Sequence, residues 1–228
     1  MRSRLAAAVA VFGLCCGAMA QADKQPLQDL KKQPTKPGEK APGQPSEAEM
    51  KAWTEAAAPG ENHKRLDPFV GEWNVEAVTQ MGPDAPKETT TGHSSVKWVL
   101  DGRFLLQEHT GTMMGMPFHG LGTWGYDNVK KEYVGTWMDT SSTGIMSSTG
   151  AYDTTTKTWT MKGSFQDPTG QTWKTREVLK WVNPNTHTFD FYQTGPDGKE
   201  FKSMTLTYTR QGAAPSTKPA PKDVPQKK

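Results

Sequence analysis

Two histidines, His109 and His119, are the residues of this chain best spaced for metal binding. If the turn between them centres near Met114 and Gly115, their imidazoles lie opposite each other on adjacent strands. Cross-strand neighbours have Cβ atoms about 4.5–5.5 Å apart, close enough to contact one ion. Catalytic zinc usually has three protein ligands, and Glu108 has the wrong strand parity to be the third. The pattern therefore favours two ordinary histidines over a metal site.

Glu177 is the carboxylate most suited to ligand binding or to acid–base chemistry. In an alternating strand pattern it shares one face with Trp173, Leu179 and Trp181. A carboxylate on the inner wall of a cavity could anchor a polar group of a ligand. Together with the neighbouring Arg176 it could also serve an isomerase or a hydrolase. The competing interpretation is that both charged side chains face solvent.

Aromatic residues are abundant, with eight Trp, eight Phe and five Tyr. These side chains either line a ligand pocket or fill the core of the domain. A filled core would indicate a structural or interaction protein. The cavity candidates, taken together with two charged neighbours, are Trp98, Trp124, Trp137, Trp173, Arg176 and Glu177. If the domain is a barrel, eight strands are just filled by side chains and more strands leave room. The predicted partner is a small apolar or amphipathic molecule.

Other chemistries have weaker support in the sequence. No Gly-x-Ser-x-Gly motif of serine hydrolases is present. Gly120-x-Gly122-x-x-Gly125 has roughly the spacing of a nucleotide-binding turn, but it lies inside a β-patterned run and not between a strand and a helix. Haem held by one inward histidine is an open alternative, although no histidine is singled out for it.

The elements that must position these residues begin with one helix. Ser46 can cap it, and Glu49 completes a capping box. Met50, Trp53 and Ala57 form an apolar stripe, and Pro59-Gly60 ends the segment 46–60. So short a helix needs a partner, so the stripe is predicted to dock on the main domain, across one of its ends.

From Gly71 onward the hydrophobic period changes to two, which predicts strands. The runs are roughly 71–81, 89–100, 103–113, 118–126, 132–140, 144–152, 158–166, 171–182, 187–194 and 200–210. Short connections with hairpin pairs such as Asp101-Gly102 and Asp197-Gly198 make neighbouring strands antiparallel. A meander of about ten strands leaves two free edges unless it closes. The predicted fold is therefore an all-β, antiparallel up-and-down barrel over residues 61–211, with one short N-terminal helix.

The terminal segments indicate the compartment. Residues 1–20 combine arginines, a short apolar run and Ala18-Met19-Ala20, which is typical of a cleaved export signal. Both cysteines lie within it, so no disulfide is expected in the mature chain. Residues 21–45 and 212–228 are rich in proline and predict a disordered linker and tail. The protein is therefore predicted to be exported, either periplasmic or secreted.

Neither a nucleic-acid partner nor a transmembrane segment is expected. The formal net charge is +3, and acids and bases nearly balance over residues 66–210, so the chain lacks a basic stripe. No run approaches the roughly 20 apolar residues of a transmembrane helix. The sequence gives no prediction of the oligomeric state.

Several motifs over about residues 46–210 together resemble a family of exported bacterial proteins whose domain has no assigned function. They include Val70-Gly71-x-Trp73, Leu100-Asp101-Gly102-Arg103-Phe104-Leu105, Pro117-Phe118-x-Gly120-x-Gly122-x-x-Gly125-Tyr126-Asp127 and Tyr208-x-Arg210. The resemblance implies a calycin-like barrel of the lipocalin or fatty-acid-binding type and supplies no catalytic residue. Gly71-x-Trp73 and the terminal Arg210 also resemble the lipocalin signature, which implies a structural cation–π pair of Trp73 with Arg210.

Overall fold

A computed structural model describes residues 45–195 and 197–212. The predicted export signal 1–20, nearly all of the linker 21–45 and the tail beyond its first residue lie outside the described residues. Helix α1 spans Glu47–Ala57 and α2 spans Glu61–Lys64, followed by one turn of 3-10 helix at Asp67–Phe69. Across these described ranges, no helix is long and apolar enough to cross a membrane.

Ten antiparallel strands form a closed barrel in which consecutive strands pair and β1 also pairs with β10. They are β1 (Gly71–Gln80), β2 (Lys87–Val99), β3 (Phe104–Met113), β4 (Met116–Asp127), β5 (Glu132–Asp139), β6 (Met146–Asp153), β7 (Thr158–Gln166), β8 (Thr172–Asn183), β9 (Thr186–Thr194) and β10 (Glu200–Arg210). Because the barrel is closed, the first and last strands are hydrogen-bonded to each other and the sheet has no free edges among the described strands. The predicted all-β, up-and-down barrel is confirmed.

Two of the hairpin turns have the same construction. Asp127 Oδ1 accepts hydrogen bonds from two backbone N–H groups of the β4–β5 turn, and Asp153 Oδ1 does the same in the β6–β7 turn. Four residues after each aspartate, Lys131 and Lys157 have left-handed φ values of 60° and 54°. The two similar sequence segments are therefore repeated hairpin turns, as their aspartates predict.

The segment that carries α2 and the 3-10 turn closes one end of the barrel. Leu66 is fully buried and Phe69 is 4% exposed. The Phe69 carbonyl oxygen accepts a 2.8 Å hydrogen bond from Trp73 Nε1, and the Asp67 carboxylate accepts one of 2.9 Å from Trp98 Nε1. We call this the closed end and the opposite one the far end.

Arg210 joins the last strand to the first at the closed end. Its guanidinium lies over the Trp73 indole, 4.2 Å from the ring centre, and the two residues are cross-strand partners. It also donates hydrogen bonds to the carbonyl oxygens of Val70 and Pro68 at 2.9 and 2.7 Å. Gly71 makes room for this contact, because a Cβ there would lie 2.6 Å from Arg210 Nη1.

Helix α1 does not bury its apolar stripe. Met50 and Trp53 are 53% and 74% exposed, and no residue of the helix is buried. The predicted docking of the stripe is therefore wrong. The C-terminal end of the helix is held instead by Asn128, whose Nδ2 donates hydrogen bonds to the carbonyl oxygens of Ala56 and Ala58 at 3.0 and 2.7 Å.

Alternation along the strands decides which side chains face the interior. On β1, Trp73 and Val75 are buried whereas Glu72 is exposed. On β7, Trp159 and Met161 are each 1% exposed. Because cross-strand partners share a face, the same assignment extends around the barrel through the strand register.

Candidate ligand-binding site

Aromatic rings fill the barrel next to the closed end. The Phe69 ring centroid lies 4.9 Å from that of Trp124, 5.2 Å from Trp159 and 4.8 Å from Trp181. Trp73 lies 6.1 Å from Trp181. Tilted and edge-to-face ring pairs of this kind add attraction beyond the burial of apolar area. These five residues, here called the aromatic floor, are packed core, so a ligand must bind nearer the far end.

Three polar side chains lie on the inner face of β6 and β8, on the far-end side of the floor. Ser148 Oγ donates a 3.2 Å hydrogen bond to Glu177 Oε2. Thr175 is two residues before Glu177 on β8 and therefore faces the same way. Gly163 of β7 separates Ser148 from Thr175 in the register, and a Cβ at this glycine would be 3.0 Å from Thr175 Oγ1. We call Ser148, Thr175 and Glu177 the inner polar site.

The Glu177 carboxyl group is held in apolar surroundings. Glu177 is 7% exposed, and its cross-strand partners are Met161 and Phe191. Burial raises the pKa of Glu177 to about 7, and the hydrogen bond from Ser148 opposes that rise. The group therefore titrates near neutral pH and not in the usual acidic range of a carboxyl group. It can accept hydrogen bonds from a bound ligand or pair with a cationic one.

Unused hydrogen-bonding atoms are concentrated inside the barrel. Among the described residues, the buried side-chain atoms without a hydrogen-bond partner are Trp124 Nε1, Trp159 Nε1, Thr175 Oγ1, Glu177 Oε1 and His187 Nδ1. All of these side chains face the interior. Buried polar groups are normally paired, and an unpaired one costs about 1–3 kcal/mol. Two of these atoms belong to the inner polar site, which therefore has unused hydrogen-bonding capacity.

A chain of hydrogen bonds on β2, β3 and β10 is the part of the interior that the sequence did not reveal. Gln107 Nε2 donates to Tyr208 Oη at 3.2 Å and to Ser94 Oγ at 3.1 Å. Ser94 Oγ in turn lies 2.8 Å from His109 Nδ1. Burial, and secondarily the charge of His93, lowers the pKa of His109. Alternation did not give the inner face of β3, because residues 103–109 include apolar side chains at both parities, and no sequence signal linked these residues.

The four tryptophan candidates fall into two groups. Trp98 and Trp124 lie at the closed end, the first bonded to the end-closing segment and the second part of the aromatic floor. Trp137 and Trp173 lie toward the far end and are partly exposed. The Trp137 ring occupies the space above Gly120, where a Cβ would come within 2.2 Å of it. Trp137 and Trp173 are therefore the members of the set placed to contact a ligand.

Arg176 does not belong to the interior. It follows Thr175 and precedes Glu177, and adjacent strand residues face opposite sides of a sheet. Its guanidinium makes two hydrogen bonds to Glu200, of 2.9 and 2.7 Å, and lies 3.8 Å from the ring centre of Tyr192. The prediction of Arg176 as a cavity residue is wrong, and the acid–base pair of Glu177 with Arg176 is lost with it.

The two candidate metal ligands lie on opposite faces of the sheet. His119 is the cross-strand partner of Thr110 and not of His109. The hairpin has a two-residue loop at the expected place, Met114-Gly115, with φ values of 52° and 74°. A turn centred there pairs His119 with Thr110 and His109 with Gly120, so the predicted pairing was wrong by one residue. Within the described ranges, no three His, Cys, Asp or Glu side chains cluster as metal ligands.

Two depressions open on the surface of the barrel. One of about 430 Å³ is bordered by β1, β2 and β10, with Asn74 and Glu76 in its lining. The other, of about 620 Å³, lies beside the β5–β6 connection, and its lining combines outward residues such as Leu121 with the inward-facing His109 and Asp139. Neither lining contains any of the unpartnered buried atoms. The inner polar site is therefore the stronger candidate.

Residues 58–210, from the end of α1 to the end of β10, match the sequence profile of a family described as "Protein of unknown function (DUF1579)". The chain belongs to this family. The predicted resemblance to a family without an assigned function is confirmed. The closed antiparallel barrel agrees with the barrel fold that the resemblance implied. A comparison with curated proteins found no match.

Solved structures with similar barrels include an S-type phycobiliprotein lyase, CPES, from Guillardia theta. It has a TM-score of 0.46 and 12% identity, over 68% of this chain and 100% of that one. A redesigned beta barrel has a TM-score of 0.36 and 17% identity, over 68% and 99% of the two chains. The protein EF1p2_mFAP2b, bound to DFHBI, has a TM-score of 0.35 and 14% identity, over 66% and 100%. These are similarities of barrel architecture.

Proposed function

We propose that this protein binds a small apolar or amphipathic molecule inside its barrel. A cationic or hydrogen-bond-donating group of the ligand binds at the inner polar site, and its apolar part lies toward the far end. The observation that supports this most strongly is the pair of unpartnered oxygens, Thr175 Oγ1 and Glu177 Oε1, two residues apart on the inner face of β8. Both atoms can accept a hydrogen bond, and the ionised form of Glu177 can only accept one, so a donor on the ligand satisfies both.

The apolar part of the ligand is matched by aromatic side chains farther along the same strands. Phe165 and Trp173 stack with their planes 8° apart and their centroids 6.5 Å apart. Trp137 covers Gly120 on the wall formed by β4 and β5. Ligand sites of this kind combine apolar walls with a few placed polar groups. The combination of an acceptor site and aromatic walls favours an amphipathic ligand.

The direct test is mass spectrometry of small molecules released by denaturing the natively purified protein. We expect a compound with an amine, amide N–H or hydroxyl group in amounts comparable to the protein. Glu177→Leu should reduce the recovered amount strongly. Glu108→Leu is the matched control, because Glu108 lies on the outer face and pairs there with Lys97 at 3.1 Å. Equal recovery from both variants would contradict the proposed site.

A titration covers the case in which the natural ligand is lost during purification. Octylamine, which has one cationic donor and an apolar chain, should quench the fluorescence of the interior tryptophans. Glu177→Gln should weaken its binding about tenfold or more, because a charge-assisted hydrogen bond contributes about 1.5–3 kcal/mol. Unchanged binding in Glu177→Gln would place the amine elsewhere.

We further propose that the protein acts outside the cytoplasm, in the periplasm or as a secreted protein. The support is the composition of residues 1–20, with basic residues, a short apolar run and Ala18-Met19-Ala20 before Gln21. N-terminal sequencing of the protein from the exported fraction of its host should begin at Gln21. A chain that keeps Met1 and stays with the cytoplasmic fraction would contradict export.

A further inference from the structure

The strand that carries the inner polar site faces the strand that carries His109. In the closed order of the barrel, β8 and β3 are separated by five steps in either direction. Glu177 and His109 are therefore on diametrically opposite walls. With strands about 4.8 Å apart and tilted as in other barrels, the backbone diameter is about 20 Å. A ligand bound at Glu177 thus projects toward the wall of His109.

The hydrogen-bond chain on that wall orients the His109 ring. Gln107 Nε2 donates to Ser94 Oγ, and we assign the Ser94 hydroxyl hydrogen to the 2.8 Å bond with His109 Nδ1, the acceptor that lies within its reach. Ser94 is fully buried. A neutral imidazole carries one N–H, and when Nδ1 accepts a hydrogen bond the proton is on Nε2. His109 therefore presents an Nε2–H donor.

Two glycines keep the space beside this donor free of side chains. Gly92 and Gly111 are cross-strand partners next to His109. A Cβ at Gly92 would lie 3.0 Å from His109 Nε2, and one at Gly111 would lie 3.1 Å from it. Both glycines lie two residues farther along their strands toward the far end than Ser94 and His109. His109 Nε2 is therefore directed along the wall toward the far end. No described residue makes a hydrogen bond to Nε2 among the bonds of this wall.

We propose that the ligand is bifunctional: it carries a hydrogen-bond-donating group at the inner polar site and a hydrogen-bond acceptor, such as a carbonyl, at His109 Nε2. This inference rests on the proposed function, since it assumes a ligand in the interior. It adds a second polar group to the proposed ligand, a hydrogen-bond acceptor, and identifies His109 as the residue that binds this group. Ionised Glu177 on β8 only accepts hydrogen bonds, whereas His109 Nε2–H on β3 donates, so the ligand is bound in one orientation.

Three probes of matched chain length separate the two contacts. Octylamine has the donor alone, methyl octanoate has the acceptor alone, and the methyl ester of ω-aminooctanoic acid has both. Binding is measured by tryptophan fluorescence and calorimetry on the mature chain. The bifunctional ester should bind about tenfold or more tightly than octylamine, which is the effect of about one additional buried hydrogen bond.

Variants of His109 identify the residue responsible. His109→Phe should remove the advantage of the bifunctional ester over octylamine and leave octylamine binding unchanged. His109→Gln keeps an acceptor for Ser94 and an N–H donor, and should restore part of that advantage. His119→Phe, one residue out of register and on the outer face, is the matched control and should behave as the parent protein.

The outcomes distinguish the two proposals. If octylamine and the bifunctional ester bind with equal affinity, or if His109→Phe keeps the difference between them, the assignment of His109 is overturned while an interior site at Glu177 stands. If none of the three probes binds the parent protein and no released compound is found, the proposed function itself is overturned. Thermal unfolding of each variant verifies that the barrel is intact.

Discussion

Ser148 donates a 3.2 Å hydrogen bond to Oε2 of Glu177, while Oε1 of the same carboxyl group has no partner in the described part of the chain. A carboxyl group 7% exposed would ordinarily be paired on both oxygens or absent from the interior. Glu177 therefore carries a cost in the unliganded protein that a ligand donor can remove. The predictions below test this cost and the barrel that imposes it.

The first prediction concerns the pH dependence of stability caused by Glu177. Its pKa rises from 4.5 to about 7 on folding, so the folded protein binds this proton more tightly than the unfolded chain. The contribution of this proton to the free energy of unfolding is therefore fully present below about pH 4.5, and it is lost as the pH rises to about 7. The loss corresponds to about 3 kcal/mol, at about 1.4 kcal/mol for each tenfold change in proton affinity.

Glu177→Gln isolates this effect, because glutamine fills nearly the same volume and does not titrate. Urea unfolding at a series of pH values should show the variant gaining stability relative to the parent as the pH rises from about 4.5 to about 7. A difference in unfolding free energy that is independent of pH would mean that Glu177 is not buried as described.

His187 gives the opposite pH dependence. Burial, and then the charge of Arg210, lowers its pKa to about 3, so the folded protein binds this proton more weakly than the unfolded chain. Its contribution is present above about pH 6.5 and is lost as the pH falls toward 3. His187 stacks on Tyr208 with ring planes 9° apart, and His187→Phe preserves that ring contact. The variant should lose less stability than the parent on acidification, and an equal loss in both proteins would contradict a neutral, buried imidazole.

The Trp73 side chain should be essential to the closed end. Trp73 is fully buried, so Trp73→Ala should lower the free energy of unfolding by about 3–5 kcal/mol. Trp53→Ala is the control, because Trp53 is 74% exposed on α1 and its truncation should change stability by less than about 0.5 kcal/mol. Denaturant unfolding measures both. Similar losses in the two variants would show that the first strand is placed wrongly.

Gly71 should be required for the contact between the first and last strands. Its φ of 135° is strained for any other residue, and a Cβ would lie 2.6 Å from Arg210 Nη1. Gly71→Ala should therefore cost about 1–3 kcal/mol or displace the arginine. Gly60→Ala is the matched control, since a Cβ at Gly60 meets no atom within 4 Å. If both variants unfold at the same denaturant concentration, the Arg210 contact contributes little to stability.

The strands and their number could be predicted from the sequence because period-two alternation and the turn residues are local signals. The same signals placed Glu177 on one face with Trp173 and Trp181. They should also have excluded Arg176 from that face, because Arg176 is next to Glu177 in the same strand. The turn at Met114-Gly115 was placed correctly, but the His109–His119 pairing was wrong by one residue for that turn, and one residue moves a side chain to the other face.

Other features could not be predicted because they depend on how distant segments meet. The apolar stripe of α1 predicts an amphipathic helix. It does not predict whether another part of the domain covers Met50 and Trp53. The barrel end is closed instead by Leu66 and Phe69, in helical segments too short to show a hydrophobic period. Whether a buried oxygen such as Thr175 Oγ1 finds a partner depends on the three-dimensional arrangement of several strands.

A crystal structure of the protein with octylamine tests the central claim most directly. We predict that the amine nitrogen lies about 2.7–3.2 Å from Glu177 Oε1, inside the barrel, with the alkyl chain toward Trp137 and Trp173. Octylamine bound in the depression beside the β5–β6 connection, or an interior whose side chains leave it no room at Glu177, would contradict the proposal.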